Sequence, residues 1–385
     1  MDDSRDWLRL SLTPGLGPRT ARALLSAFGL PQQILAASQA QLAAVIGQRL
    51  AAAVKQPPDP TALTRNLRWL EHPERYLLSL ADSRYPQALL SIADPPIVLF
   101  AQGRLELLER PALAVVGSRH ASAQGVATAE SFAHCIADHG VTIVSGLAWG
   151  IDAAAHRGGL RGAGSTIAVM ATGPDIVYPA GHRALAAHIR RDGLIVSEFS
   201  VGTPPLKGQF VRRNRLVAGL SQGVLVVEAA LSSGSLTTAR QAAEQGRDVF
   251  AIPGSIHSPT SRGCHALIRE GAKLVDDASL VLDELRRPLA AQPISAQASI
   301  GLTRHSKPEH LPPRPDACAV RAVSENDATM RESLLAHIRF DPVTPDILCL
   351  TSGLTPDMVS AMLSLLEVEG RIRTVAGGAW QRTPD

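Results

Sequence analysis

Six short apolar runs, each followed by a turn and a helix-like segment, constrain the fold of this chain most strongly. They lie between about residues 110 and 287 and read LAVVGSR, VTIVSG, STIAVMATG, LIVSEFS, GVLVVEAA and DVFAIPG. Runs that are apolar throughout, rather than alternating with polar residues, are typical of parallel strands buried on both faces. With right-handed crossovers they predict an α/β fold built on an extended Rossmann-like, doubly wound and mostly parallel sheet.

The regions on either side of these runs differ from them in composition. Residues 1–80 are rich in Ala and Leu at helical spacing, which predicts a helical domain before the sheet domain of residues 81–287. Residues 288–328 are rich in Pro, Ala and Ser without periodicity, which predicts a flexible linker. Residues 329–385 read as helices followed by a short strand pair, the order of a winged helix-turn-helix domain.

The composition excludes several classes of protein. With 385 residues, 45% of them hydrophobic, the chain can bury the cores of two or three domains. The net charge of +3 is too small to indicate a nucleic-acid partner, so a case for DNA must rest on local clusters. The four cysteines show no zinc-ligand spacing, which predicts no metal site and a reduced, cytoplasmic setting. The start MDDSRDWLRL has no apolar signal core and no apolar run approaches a membrane span, so we expect no membrane association.

Small residues at the predicted carboxyl ends of the strands form a candidate binding edge, because ligands of a doubly wound sheet bind there. Two of these turns consist of Gly117, Ser118 and Arg119, and of Ser233, Gly234 and Ser235. Backbone N–H groups in such turns can hold a phosphate, Arg119 adds a cationic fork, and Ser122 is placed to cap the following helix. One such turn is more often an ordinary strand-to-helix junction, whereas several on one edge favour an anion site.

The turns lack the fingerprints of the common nucleotide cofactors. GSRHASAQG has the wrong spacing for G-x-G-x-x-G, no acidic residue is placed for a ribose, and no Walker A sequence occurs. A dinucleotide-dependent oxidoreductase is therefore disfavoured, and we expect no bound cofactor.

The segment KGQFVRRNRL, residues 207–216, places a basic cluster directly before a buried strand. As a helix, this segment turns Arg213 toward the packed side, where it needs a partner such as Glu198 or Glu228. The same geometry leaves Arg215, together with Lys207 on the preceding loop, free to face a ligand.

Phe210 is an aromatic side chain beside these cations. Single-stranded nucleic acid needs such an arrangement, because bases stack on the ring while cations neutralise the phosphates. The alternative is that Phe210 is a hydrophobic staple at the helix start and the arginines are merely solvated. The spacing alone supports both interpretations equally.

An enzyme acting on a nucleotide is the alternative function, since the SGS-x-TTA turn resembles those of Rossmann-like nucleotide-processing families. Asp152, Glu198, Glu228 and His156 all fall near strand ends and are candidate acids or bases. No nucleophile–base spacing or metal-ligand set connects them, and each is more often an N-cap or a buried ion-pair partner. We therefore expect no enzymatic activity.

Several long motifs resemble the bacterial DNA processing protein A (DprA/Smf) family. They read AVVGSR, SGLAWGIDAAAHRGGL, GPDIVYP, FVRRNRLVAGLSQGVLVVEAALSSGSLTTARQAAEQGRDVFAIPGS and GAKLV, and they cover most of residues 80–285. The flanking regions are similar to the family's SAM-like helical domain and its winged-helix domain. The resemblance implies a protein without known catalysis that binds and protects incoming single-stranded DNA, dimerises, displaces single-strand-binding protein and helps load the RecA recombinase during natural transformation.

The resemblance also implies roles for particular residues. Arg119 would contact DNA phosphate, and Lys207 and Phe210 match the family's cation and base-stacking aromatic. The remaining matches are the R-N-R motif of Arg213, Asn214 and Arg215, and the S-G-S turn of Ser233, Gly234 and Ser235. Two positions depart from the family pattern, because Val211 replaces the usual Pro and His265 in GCHALI replaces the usual Asn.

The flanking regions carry two weaker signals. TPGLGPRTARALLSAFG, residues 13–29, resembles a helix-hairpin-helix whose glycine turn either offers N–H groups to a phosphate or is part of a non-binding hairpin. Arg371 and Arg373 lie on the presumed wing of the C-terminal domain, beside Glu367 and Glu369, which favours a protein-contact role for that domain over DNA binding by a small margin.

Overall fold

The fold is seen in a computed structural model of the chain. It describes residues 2–286 and, toward the C-terminus, 334–335, 338, 344–352, 354–368, 371–375 and 379–382. The chain divides into two compact units, residues 1–294 and 295–385. The predicted linker at 288–328 lies outside the described residues.

Six helices form the N-terminal part of the first unit. They are α1 (Asp2–Ser11), α2 (Pro18–Phe28), α3 (Pro31–Ala36), α4 (Gln39–Ile46), α5 (Gln48–Lys55) and α6 (Pro60–Trp69). Their starts follow local signals, because α2, α3 and α6 begin with proline and Ser38 caps α4 through a backbone N–H three residues later. Their apolar faces enclose a core around Trp7 and Leu24, which also includes Phe100 from the sheet.

The rest of the first unit is built on one sheet of nine strands. These are β1 (Arg75–Ser79), β2 (Val98–Gly103), β3 (Ala112–Val116), β4 (Thr142–Ser145), β5 (Thr166–Val169), β6 (Leu194–Ser197), β7 (Gly223–Val226), β8 (Asp248–Ala251) and β9 (Lys273–Leu274). The helices between and after them are α7 (Gln87–Leu90), α8 (Ala123–Asp138), α9 (Ile151–Arg161), α10 (Arg183–Asp192), α11 (Lys207–Gly219), α12 (Gly234–Glu244), α13 (Arg262–Arg269) and α14 (Ala278–Arg286).

The strand order is β1-β2-β6-β5-β4-β3-β7-β8-β9. From β6 to β9 every pairing is parallel, while β1 and β2 add an antiparallel edge beside β6. The chain runs outward from β3 to β6, returns to β7 beside β3, and then runs outward on the other side. The order therefore reverses between β3 and β7, where a doubly wound sheet binds its ligands.

Both faces of the sheet are covered, which explains the continuous apolar runs. In β3, Leu113 and Val115 face one core, and Ala114 and Val116 face the other. The predicted α/β fold and its six parallel strands β3 to β8 are confirmed. The strands β1, β2 and β9 were not predicted, and β1 lies within the range predicted to be helical.

The second unit contains α15 (Pro345–Ser352), α16 (Pro356–Val368) and the antiparallel pair β10 (Ile372–Val375) and β11 (Ala379–Arg382). Its core includes Leu348, Val359, Leu363 and Ile372. Two helices followed by a strand pair agree with the predicted winged-helix domain. None of the described helices is both long and apolar enough to cross a lipid bilayer.

Candidate nucleic-acid interface

A cavity of about 400 Å³ lies at the reversal of strand order, beyond the carboxyl ends of β3 and β7. We call it the switch-point groove and define it by the residues that line it from three elements. The lining includes Gly117, Ser118 and Arg119 after β3, Phe210, Arg213 and Asn214 on α11, and Ser233, Gly234 and Ser235 at the start of α12; Asp152, on α9, also lines the groove. The structure thus brings together nine of the eleven predicted site residues.

The turn after β3 is held tightly against β7. A Cβ atom on Gly117 would lie 2.6 Å from Cγ1 of Ile151 and 2.8 Å from the carbonyl oxygen of Glu228, so this position requires glycine. The N–H of Ser118 donates to that same carbonyl at 2.6 Å. The backbone of the turn is therefore fixed by its neighbours before any ligand arrives.

Glu228 also secures the start of α8. Its carboxylate accepts from the N–H of Ser122 at 2.9 Å and from the Ser122 hydroxyl at 2.5 Å. Ser122 Oγ in turn accepts from the N–H of Gly125 at 2.9 Å, which confirms the predicted cap. The Glu228 side chain is thereby engaged in structure and is not directed at the groove.

Arg119 is the exposed cation of the groove. It forms no ion pair with any described residue, and its guanidinium carbon lies 5.6 Å from the centroid of the Phe210 ring. Phe210 is half-buried and also contacts Tyr178, with ring centroids 5.4 Å apart and planes at 58°. One unpaired cation and two partly exposed aromatic rings therefore meet at this point.

The start of α12 forms the opposite wall. Ser233 caps the helix by accepting from the N–H of Ser235 at 3.3 Å, and the two hydroxyls lie 2.6 Å apart. Gly234 is exposed, and a Cβ atom there would meet nothing within 4 Å. The N-terminus of this 11-residue helix carries a positive partial charge that favours an anion in the groove.

Arg213 forms part of the floor of the groove. It is 4% exposed and donates from Nη1 to the carbonyl oxygen of Val169 at 2.7 Å. Burial lowers the pKa of Arg213 to about 10, although the nearby charge of Asp152 opposes that effect. The inward orientation of Arg213 is confirmed, but the partners predicted for it, Glu198 and Glu228, are wrong.

Arg215 does not face a ligand, and this expectation is wrong. It is 5% exposed, and its Nη2 donates to Oε2 of Glu198 at 2.5 Å while its Nε lies 3.3 Å from Oδ2 of Asp94. Arg212 reaches the same Glu198 oxygen at 2.8 Å. The segment after α7, which carries Asp94, covers the side of α11 that the helical geometry alone left open.

Lys207 is exposed at the first residue of α11 and has no ion-pair partner among the described residues. It lies one turn before Phe210 and beside the groove rather than among the residues that line it. Of the three cations expected to face a ligand, Arg119 is thus in the groove, Lys207 is near it, and Arg215 is inside the protein.

Tyr178 was missed as a site residue. It follows β5 in the motif GPDIVYP and is 46% exposed. An aromatic residue in a polar loop after a buried strand is the signal that could have identified it, because such loops line the carboxyl edge of the sheet.

The candidate acids and bases of an enzyme all have structural partners. Asp152 accepts from the N–H groups of Gly146 and Ala148 at 3.1 and 3.3 Å, and burial raises its pKa. His156 is fully buried between the N–H of Leu147 and the Thr166 hydroxyl, and burial is the main cause that lowers its pKa to about 3. Neutral and enclosed, His156 is a poor candidate for proton transfer to a ligand.

The comparisons with known proteins match three separate parts of the chain to models that fit its three predicted domains. A family model described as DNA recombination-mediator protein A matches residues 76–286, one for the DprA winged helix domain matches residues 319–378, and one for a SAM-like helix-hairpin-helix tandem matches residues 9–56. Protein Smf of Escherichia coli is 40% identical over 350 residues, which are 89% of this chain and 88% of that protein. DNA processing protein DprA of Streptococcus pneumoniae is 50% identical over 206 residues, 54% of this chain and 73% of that protein.

Two solved structures are also similar. The X-ray structure of DNA processing protein A from Streptococcus pneumoniae has a TM-score of 0.66 and 40% identity, covering 72% of this chain and 97% of that one. The structure that describes the single-stranded DNA binding mode of DNA processing protein A from Helicobacter pylori has a TM-score of 0.51 and 30% identity, covering 56% of this chain and 96% of that one.

Proposed function

Because the chain belongs to the DNA recombination-mediator protein A family, the DprA/Smf family, we propose that it binds single-stranded DNA in the switch-point groove. The observation that carries this proposal is the contact of exposed, unpaired Arg119 with Phe210, which in turn contacts Tyr178. Cations beside aromatic faces suit an unpaired strand, because its bases are free to stack on protein rings while its phosphates are neutralised.

Different walls of the groove contact different parts of the DNA strand. The N–H groups at the start of α12 and the guanidinium of Arg119 bind phosphates, while the rings of Phe210 and Tyr178 take bases. Lys207 adds a cation along the path of the backbone. Arg213 and Arg215 act indirectly, by fixing α11 against the sheet so that Phe210 is held in position.

The wider role proposed for the chain follows from its family. We propose that it protects incoming single strands in the cytoplasm as a homodimer, displaces single-strand-binding protein and helps load RecA during natural transformation. This role needs no cofactor and no catalysis. A nucleotide-processing enzyme is less favoured, because Asp152, Glu198, Glu228 and His156 are all committed to internal partners.

A titration of fluorescent oligonucleotides with the purified protein tests the proposal. We expect a single strand to bind more tightly than a duplex of the same length, because duplex bases are already stacked on each other. We also expect the affinity for the single strand to fall steeply as salt rises, since phosphate contacts release counterions. Equal affinity for both DNA forms, or tighter binding of a mononucleotide, would contradict it.

A further inference from the structure

A second and larger cavity, of about 980 Å³, lies between the helical part of the first unit and the sheet. Arg65 and Arg68 reach it from α6, Arg75 from the start of β1, and Arg190 from α10. We call it the arginine cleft and define it by these four residues. Among the residues that the structure describes, Asp175 is the only acid in its lining.

The charges of the arginine cleft are not balanced within the protein. Arg65, Arg68 and Arg190 form no ion pair or hydrogen bond with a described side chain, and Arg75 donates from Nη1 to the carbonyl oxygen of Trp69 at 3.3 Å. Asp175 is itself occupied, because its Oδ1 accepts from the N–H of Gly202 at 2.8 Å. Four positive charges thus face one carboxylate.

Two of these arginines are close enough to destabilise each other. Burial and then the charge of Arg75 lower the pKa of Arg190. The Nε atoms of both side chains are buried without an acceptor among the described residues. The charge of Asp175 offsets only part of this effect on Arg190. An anion between the two guanidinium groups would offset the remaining repulsion and accept from the Nε donors, which no described residue does.

The arginine cleft is connected to the switch-point groove by one loop. Asp175, in the cleft, and Tyr178, against Phe210, lie three residues apart after β5. Three residues span at most about 11 Å, so the two sites are separated by a short distance. With one phosphate per about 3.4 Å of a stacked strand, about three nucleotides cover that distance.

We propose that the arginine cleft is a second phosphodiester-binding site, which takes the backbone of the same single strand as it leaves the switch-point groove past Tyr178. This inference rests on the proposed function. The planar forks of Arg65, Arg68, Arg75 and Arg190 suit phosphate oxygens. Trp69 is 7% exposed, so the cleft offers no free aromatic face and binds the backbone without reading bases.

The test compares two oligonucleotide lengths on the double variant Arg65→Ala/Arg68→Ala. Both residues are exposed on a helix, so their replacement by alanine leaves the fold intact, which thermal unfolding verifies. A strand of about 3 nucleotides is too short to occupy the groove and also cover the distance to the cleft, whereas one of about 20 nucleotides reaches both. The matched control is Arg240→Ala/Arg269→Ala, which removes the same charge at exposed positions that line neither cavity.

For the long strand, we expect the double variant to reduce the salt slope by about 1.4, equivalent to about tenfold weaker binding near 0.2 M salt. Binding of the short strand should stay at the wild-type level, and the control should bind both lengths like wild type. If the long strand binds the double variant as well as wild type, or if both lengths lose affinity equally, the cleft is not a DNA site and the groove alone remains one. Absence of single-strand binding by the wild-type protein overturns the proposed function itself.

Two further probes distinguish other ligands. Inorganic phosphate or a short poly-glutamate peptide is titrated into wild type and into Arg65→Ala/Arg68→Ala. If phosphate or the peptide binds wild type but not the variant, while the long strand binds both equally, the cleft serves a free anion or an acidic protein segment and the proposal is wrong. If neither probe competes with the long strand at equal concentration, the assignment to DNA is supported.

Discussion

The exposed rim of the switch-point groove, formed by Arg119 and Phe210, and the buried interior behind it use the same residue types for opposite purposes. At the rim, Arg119 is exposed, lacks a carboxylate partner and lies over Phe210. In the buried interior, Arg213 and Arg215 are bound to a carbonyl and to carboxylates. Two of these three arginines are therefore structural, which shows that burial and partners, rather than the number of charges in a motif, identify those available to DNA.

The largest effect that tests this contrast is on stability. Arg215→Ala should lower the free energy of unfolding by about 3–5 kcal/mol, because it leaves the buried carboxylate of Glu198 without its closest partner. Urea unfolding measures the loss, and the exposed Arg240→Ala should remain within about 0.5 kcal/mol of wild type. If Arg215→Ala keeps its stability but loses DNA affinity, Arg215 belongs to the rim and the contrast fails.

The buried interior should also make stability depend on pH through His156. Its pKa is about 3 in the folded protein against 6.5 when exposed, so the unfolded chain binds the extra proton between these values. The contribution of neutral His156 to the free energy of unfolding is fully present above about pH 6.5. It should decrease by about 2 kcal/mol when the pH is lowered to about 5. Unfolding at both pH values, in wild type and His156→Asn, isolates this loss. An identical pH dependence in the two proteins would refute the assignment.

At the rim, Phe210→Ala should weaken binding of single strands by about 1–3 kcal/mol if the ring stacks on a base. Phe210→Tyr, which keeps an aromatic face, is the matched control and should bind nearly as well as wild type. Anisotropy titrations measure the affinities, and thermal unfolding reports stability in parallel. Lost stability with intact binding would instead make Phe210 a staple at the start of α11.

The smallest expected effect belongs to a single phosphate contact. Arg119→Ala should reduce the salt slope by about 0.7 and weaken binding about threefold near 0.2 M salt, irrespective of base sequence. Arg119→Lys keeps the charge and should restore the slope. A sequence-dependent loss in Arg119→Ala would mean that this residue reads bases rather than binding the backbone.

The sequence predicted those parts of the molecule that depend on local pattern. The parallel strands could be identified because both of their faces are apolar, as Leu113 and Ala114 illustrate on opposite sides of β3. The inward orientation of Arg213 followed from helical periodicity alone. The antiparallel strands β1 and β2 were missed, because the first adjoins an Ala/Leu-rich helical region and neither alternates with helices in the parallel-sheet pattern.

What the sequence could not show depends on distant segments. Helical periodicity gives the direction in which Arg215 leaves α11. It does not show that the segment carrying Asp94 packs against that side of the helix. Tyr178 joins Phe210 only because the loop after β5 returns to α11 in the folded chain. The arginine cleft likewise combines α6, β1 and α10, which are far apart in sequence.

The hydrogen bonds between the turn after β3 and Glu228 have a consequence for how quickly DNA is captured. Since Ser118, Ser122 and Gly117 are already locked in place, an arriving strand loses its own freedom but demands little from the protein. Less of the free energy gained from the contacts is then needed to order the turn, so more of it contributes to the affinity for DNA. Association should accordingly be limited by diffusion and charge attraction rather than by a slow rearrangement of the loop.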